Sequence, residues 1–209
     1  MTASLTLHDC HAAVNPRRVR MFLAEKGLTD RVTYRQWDLV KGEHRSDEYR
    51  RLNPSGLVPA LELEDGRCIS ESMAISRYFE ALQPQPSLMG GDPVEQATVE
   101  MWQRRIEDGL LNTTLAHFHN ATSGLGDSGR YRNKEWGDHE AAKVPEALGR
   151  LDAQLGHFPY VAGERFSVAD ITALCAVDFV LFSKLASLDD YPNLKRWHTL
   201  VSARESAKA

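Results

Sequence analysis

The chain has 209 residues, 42% of them hydrophobic and 26% charged, with a formal net charge of -4 and a sequence pI of about 6.1. That length supports one large domain or two small ones with real cores, and the balance of charge leaves no broad cationic surface for nucleic acid or an anionic membrane. A small molecule or another protein is the expected partner.

The N-terminal MTASLTLHDC lacks the basic-then-apolar order of a secretory signal. The longest apolar stretch, Ile171 to Phe182, is broken by Asp178 and is too short to cross a bilayer. A cytoplasmic location is expected. Cys10, Cys68 and Cys175 are odd in number and far apart, which fits a reducing compartment better than a disulfide framework. His8, Cys10 and His11 crowd together, but no second cluster supplies the remaining ligands, so no metal is expected.

Taken in chain order, Leu5 and Leu7 alternate with polar residues and predict a short strand that ends at His8 and Asp9. After a loop, Val19, Phe22 and Leu23 fall on one helical face from Pro16 onward, and Gly27 is placed to stop that helix in a left-handed conformation. RVTYRQWDL, with Val32 and Tyr34 at period two, predicts a second strand, and the polar segment after it offers at best a short helix started by Ser46. VPALELEDGRCIS then gives two apolar runs joined by Glu64, Asp65 and Gly66, a hairpin signal. Ile75, Tyr78, Phe79 and Leu82 repeat at helical spacing in SESMAISRYFEAL.

Two strands joined through a helix must be parallel, whereas a hairpin pair is antiparallel, so this order predicts a mixed four-stranded sheet of thioredoxin-like layout. QPQPSLMGGDP, residues 83–93, concentrates Pro and Gly and reads as a linker. The predicted organisation is therefore an α/β domain over 1–82, the linker, and an all-helical domain over 94–209.

In the helical part a long helix from about Val94 carries Met101, Trp102, Ile106, Leu110, Leu111, Leu115 and Phe118, and SGLGDSGRYRN ends it. A second helix carries Val144, Leu148, Leu151 and Leu155; Pro145 either kinks it or marks its start. Ser167 and Asp170, flanked by Phe166 and Ile171, form a variant capping box with a hydrophobic staple that should open a buried helix through Phe182. A last helix presents Leu194, Trp197, Leu200 and Val201 on one face.

Two places carry chemistry. A proline just before a buried strand is disfavoured in mid-sheet, so Val58-Pro59 is either a plain edge-strand proline or a cis peptide that frees the Val58 backbone to pair with an extended peptide ligand. Glu71 and Ser72 stand where the next helix begins. Ser72 can cap it, or the helix N-terminus can take a ligand carboxylate at Ser72 while Glu71 takes an ammonium.

The combination of NPSGLVPALEL, ISESMAISRYFE about a dozen residues later, and FSVADI in a helical second domain resembles the cytosolic glutathione S-transferase family across essentially the whole chain. The nearest likeness is to bacterial members of its theta-like or nu-like branches. The resemblance implies a thioredoxin-like domain followed by a helical bundle, and conjugation of the glutathione thiolate to a small hydrophobic electrophile. It also implies the Val58 backbone, beside Pro59, on the cysteinyl part of glutathione and Glu71 with Ser72 on its γ-glutamyl end. KGEHRS is similar to a loop whose histidine approaches the glycine carboxylate, so His44 is implied there, with Lys41 as the fallback; Leu57 stands where such enzymes often have a basic or polar residue. A cytoplasmic homodimer is implied, and the electrophile is expected near Trp102, Arg105 and His117. Peroxide or disulfide reduction with glutathione is a further implied activity.

The usual thiol-activating residue is missing. Matching NPRRVR to the helix start puts Val14 where theta-like members carry serine and Asn15 where others carry cysteine. Asn15 followed by Pro16 reads as a helix cap and first helical residue, a use of its amide oxygen that leaves the NH2 to donate to sulfur. Asn15 is the leading sulfur contact, ahead of His11 and Cys10. Arg17, Arg18 and Arg20 are expected on the solvated helix face or paired with acids. The absent serine and Leu57 keep open a noncatalytic binding or regulatory protein on the same scaffold.

Overall fold

The computed structural model describes residues 5–126 and 131–209, which fall into two compact units, one ending at Pro86 and one running from Ser87 to Lys208. The first contains β1 (Leu5–Asp9), α1 (Val14–Glu25), β2 (Val32–Gln36), α2 (Asp47–Leu52), β3 (Ala60–Glu62), β4 (Cys68–Ser70) and α3 (Ser72–Leu82). The sheet order is β2-β1-β3-β4, with β1 parallel to β2 and both other pairs antiparallel. This is the thioredoxin-like arrangement anticipated from the strand and helix order.

Leu7 pairs with Tyr34 on one side and Leu61 on the other, and Leu7 and Leu61 are wholly buried. Val19, Phe22 and Leu23 of α1 and Ile75 and Phe79 of α3 complete this core, while Leu82 at the end of α3 stays exposed. The punctuation residues act as their chemistry dictates. Gly27 follows α1 at φ 65° and Gly66 turns the hairpin at φ 79°, backbone that side chains with a Cβ rarely adopt. The Ser46 hydroxyl accepts the Tyr49 amide and opens α2. Lys26, buried at the end of α1, pairs with Glu80 and donates to the carbonyls of Gln83 and Pro86, which ties down the chain leaving α3.

The second unit contains α4 (Pro93–Ile106), a wide π turn (Glu107–Leu111), α5 (Asn112–Ala121), α6 (Lys134–Ala141), α7 (Val144–His157), α8 (Val168–Phe182) and α9 (Pro192–Ser202). The long helix predicted from Val94 to Phe118 is therefore interrupted by a π turn. Leu110 and Leu111 are consecutive yet both buried, and the widened turn lets both face inward where a regular helix would rotate one away. Met101 is exposed rather than core. Pro145 is the second residue of α7, so it starts the helix; it does not kink it. In α9 Leu194, Trp197 and Val201 are buried but Leu200 is 46% exposed, off the packed face.

Ser167 and Asp170 form the expected capping box, and the structure adds to it. The fully buried Asp170 carboxylate accepts from the Ser167 amide at 3.0 Å and hydroxyl at 3.1 Å, from the Val161 amide at 2.9 Å and from Trp197 Nε1 at 2.9 Å. One side chain thus joins α8, α9 and the segment before α8. Burial pushes its carboxyl up to about 6 from 3.8, against the pull of these four donors. Because the folded state holds this proton where the unfolded chain has lost it, the stability contributed is present below about pH 4 and lost as pH rises towards 6. The stability of the wild type minus that of Asp170→Asn, from urea unfolding, should therefore fall by about 1 kcal/mol between pH 5 and pH 7.5.

Candidate functional site

Apart from Lys41 and His44, which lie between β2 and α2, the residues singled out from the sequence in the first unit lie at the C-terminal end of β1, at the start of β3, and at the N-termini of α1 and α3. These are the positions where sheet ends and helix starts leave backbone groups without internal partners.

The Val58-Pro59 peptide is cis, so the plain edge-strand reading of Pro59 does not hold. Val58 precedes β3, which begins at Ala60, and has no strand partner. The residue before it is anchored: the Leu57 carbonyl accepts from Tyr49 Oη at 2.7 Å and from Asn53 Nδ2 at 2.8 Å. Burial pushes the Tyr49 phenol up to about 12, which keeps its proton in place for this bond. Tyr49 and Asn53 are contributions the sequence did not announce, since each looks like an ordinary residue of a short surface helix.

Glu71 occupies the cap position of α3, and its side chain makes no capping bond; Ser72 is the first helical residue and is buried. The capping role considered for Ser72 is thereby corrected. Glu71 is at φ 71°, a region that costs a non-glycine residue on the order of 1–3 kcal/mol, and its side chain is exposed. The strain turns the chain sharply from β4 into α3 and leaves a carboxylate beside that helix's N-terminus. His44 is not a solvated loop histidine: it is 5% exposed, in a turn over Glu43–Arg45. Gly56, two residues before Val58, lies so close that a Cβ there would meet the His44 carbonyl at 3.3 Å. Lys41, by contrast, pairs with Asp38 in the open.

At α1 the cap is Ala13, with no side-chain capping bond, and Val14 and Asn15 are the first two helical residues. Asn15 is therefore not the N-cap. Its amide oxygen is engaged by Arg18 Nη1 at 3.0 Å, and because a guanidinium carries only donors, this contact fixes which end of the amide is oxygen. Nδ2 is left facing the other way. Arg18 and Arg20 are buried, 3% and 7% exposed, so the solvated-face reading fails for both; Arg20 instead pairs with Asp9 at 2.6 Å.

That ion pair belongs to a closed ring. Arg20 Nη1 donates to Asp9 Oδ1, Gln36 Nε2 donates to Asp9 Oδ2 at 2.6 Å, Arg20 Nη2 donates to the His11 carbonyl at 2.8 Å, and the His11 amide donates to Gln36 Oε1 at 2.9 Å. Asp9 and Gln36 sit opposite each other in the β1–β2 register, which could have been read from the strand ends. The side chain of His11 is exposed and Cys10 is half-buried.

His8 is spoken for. Trp37 Nε1 donates to its Nδ1 at 3.0 Å, so Nε2 carries the proton and faces Glu62 at 3.1 Å, and burial lowers its pKa. Among the described residues no three His, Cys, Asp or Glu side chains are grouped as a metal ion would need.

The description "Glutathione S-transferase, N-terminal domain" matches residues 14–82, and "Glutathione S-transferase, C-terminal domain" matches residues 111–205. Glutathione S-transferase 2 of Saccharomyces cerevisiae is 38% identical over 209 residues, covering 100% of this chain and 90% of the yeast protein. The chain belongs to the glutathione S-transferase family. Among solved structures, Gtt2 from Saccharomyces cerevisiae aligns with a TM-score of 0.93 and 39% identity, covering 97% of this chain and 98% of that one. A glutathione S-transferase domain-containing protein of Marinobacter aquaeolei VT8 aligns equally well, with a TM-score of 0.93, 39% identity and 96% and 98% coverage. The protein is a glutathione transferase, and the noncatalytic reading of its scaffold gives way.

The strained backbone at Glu71 should show in stability. Glu71→Ala keeps the unfavourable φ, whereas Glu71→Gly relieves it, so the glycine variant should unfold about 1 kcal/mol later than the alanine variant in urea.

Proposed function

We propose that glutathione binds along the carboxyl end of the first unit's sheet, with its cysteinyl backbone paired to Val58 beside Pro59. Its γ-glutamyl carboxylate meets Ser72 at the start of α3, its ammonium meets Glu71, and its glycine carboxylate meets His44. Several observations support this placement. Val58 has no strand partner, Leu57 is anchored beside it, Glu71 presents an exposed carboxylate on strained backbone, and the His44 turn packs against Gly56. The N-termini of α1 and α3 both favour an anion, one for the thiolate and one for the carboxylate.

Asn15 is the proposed sulfur contact, and the observation that carries it is the Arg18 bond to Oδ1. That bond directs Nδ2 away as a donor and polarises the amide with a buried positive charge, which strengthens the donor. Lowering the thiol pKa by about two units takes roughly 2.7 kcal/mol. A hydrogen bond to a charged partner supplies about 1.5–3 kcal/mol, and a helix N-terminus adds on the order of 0.3–1 kcal/mol. One polarised amide at the start of α1 therefore suffices.

The electrophile is a small hydrophobic molecule. In the helical unit Phe182 is 70% exposed and lies parallel to Phe179 at 6.0 Å, with Phe118 edge-on to Phe179 at 5.2 Å, an aromatic surface suited to such a molecule. Of the helical residues considered for this role, Trp102 has Arg105 over its ring at 5.0 Å, and His117 faces the Gly137 carbonyl at 3.3 Å. Reduction of peroxides or disulfides would use the same thiolate. Val94 and Met101, seven residues apart on α4, are both exposed, which supports a homodimer. Among the described residues no helix is long and apolar enough to cross a membrane, and Cys10, Cys68 and Cys175 are free thiols, in keeping with a cytoplasmic protein.

Asn15→Ala should raise the pKa of bound glutathione, read from the thiolate's ultraviolet absorption, by about one unit and lower kcat near neutral pH about tenfold. Glutathione affinity by calorimetry should stay within about twofold, because sulfur contributes little to ground-state binding. An unchanged pKa would transfer the role to the α1 backbone, His11 or Cys10.

A further inference from the structure

We infer that Asp9, Arg20 and Gln36 are positioning residues for thiol activation, holding the peptide of His11 so that the start of α1 is fixed relative to the sheet. The inference rests on the proposed placement of the glutathione sulfur at α1.

The ring is unusual in what it binds. Asp9 and Arg20 are a buried ion pair, whose desolvation offsets much of the attraction between them, so the fold gains little stability that packed apolar side chains would not also supply. What apolar residues cannot do is orient a peptide. Here both polar groups of one exposed residue, the His11 amide and carbonyl, are taken by side chains from β2 and α1. Those two side chains are in turn joined through the single carboxylate of Asp9 at the end of β1.

The neighbouring backbone is held as well. The Trp37 amide donates to the Asp9 carbonyl at 2.8 Å, and the Ala13 amide donates to the Cys10 carbonyl at 2.9 Å. The loop from Asp9 to Ala13 therefore has little freedom, and the next residues are Val14 and Asn15, whose amides and side chain face the proposed sulfur. Donors that stabilise an anion lose their effect when displaced by a fraction of an ångström, so a rigid approach to α1 has a chemical use.

Gln36 offers the clean test, because it is exposed at the end of β2 and its loss should leave the fold intact. Gln36→Met removes both of its bonds without adding charge, while Gln36→Glu can accept from the His11 amide but replaces the donor 2.6 Å from Asp9 with a second carboxylate. We expect the pKa of bound glutathione to rise by about one unit in Gln36→Met and by at least as much in Gln36→Glu, where repulsion from Asp9 opens the ring and the added charge disfavours the thiolate. Activity of Gln36→Met should fall about tenfold below that pKa and recover at higher pH, with KM for glutathione within about twofold of wild type and an unchanged melting temperature. A purely structural role would lower the melting temperature or reduce activity equally at all pH values, and either result, or an unmoved thiol pKa, overturns the inference. A wild-type enzyme that binds glutathione without lowering its thiol pKa would refute the placement of sulfur at α1 and the positioning role with it. Thiol activation in the wild type that is unchanged in both variants refutes the positioning role alone.

Discussion

The Asp9 carboxylate is placed where a buried charge needs a reason, at the end of β1, an inner strand of the first unit's sheet. It is satisfied on both oxygens, by a guanidinium from α1 and by an amide from β2. Three successive elements are thereby held to one point, and the chain between β1 and α1 has to pass it. If the carboxylate were absent, Arg20 would lose its counter-charge inside the protein, and Gln36 would lose the bond that aims its oxygen at His11. In the proposed arrangement this cluster orients the approach to the α1 N-terminus, and with it the donors assigned to the glutathione sulfur. Hydrogen bonds add a direction that apolar contacts lack, because they require a donor and an acceptor to be aligned.

The second unit solves a comparable problem with a different electrostatic choice. Asp170 also gathers separate segments on one carboxylate, but its four donors are two backbone amides, a hydroxyl and an indole, all neutral. Hydrogen bonds compensate part of the lost hydration of the anion, and without a cation the loss of water outweighs them, which is why the carboxyl is pushed up to about 6. A shared acceptor of this kind ties the start of α8 to Trp197 of α9, so local helix initiation and tertiary packing become one event.

Much of this was legible from local rules. Gly27 and Gly66 announced their turns because left-handed backbone is costly for other residues, and Ser167 with Asp170 announced a helix start because the first amides need acceptors. The order of elements followed from hydrophobic period and the topology from the rules of connection. What stayed hidden depended on contacts that hydrophobic period and local composition do not encode. Asn15 looks like a cap when read with Pro16 alone, but the helix begins at Val14, and the amide is claimed by Arg18. His44 sits in a polar stretch and is nonetheless buried, because the loop around Gly56 folds over it. Leu200 matches the helical period of its neighbours yet faces outward, since α9 buries a narrower stripe than the sequence pattern suggests. The π turn also has no composition signal; it is visible only once Leu110 and Leu111 are both seen inside.

The proposed use of an amide in place of a hydroxyl near the start of α1 makes sense when its surroundings are counted. A serine hydroxyl serves as donor with little help, because its hydrogen rotates towards the best acceptor. An amide cannot rotate its hydrogens in that way, and an unrestrained asparagine would present oxygen or nitrogen to the sulfur with similar ease. Presenting oxygen to a thiolate is repulsive. The Arg18 guanidinium removes that alternative by occupying the oxygen, and its charge favours an anion nearby as well. An asparagine at this place is useful only with such a partner, so the residue that makes Asn15 a credible donor is one that the loop sequence alone would assign to the helix surface.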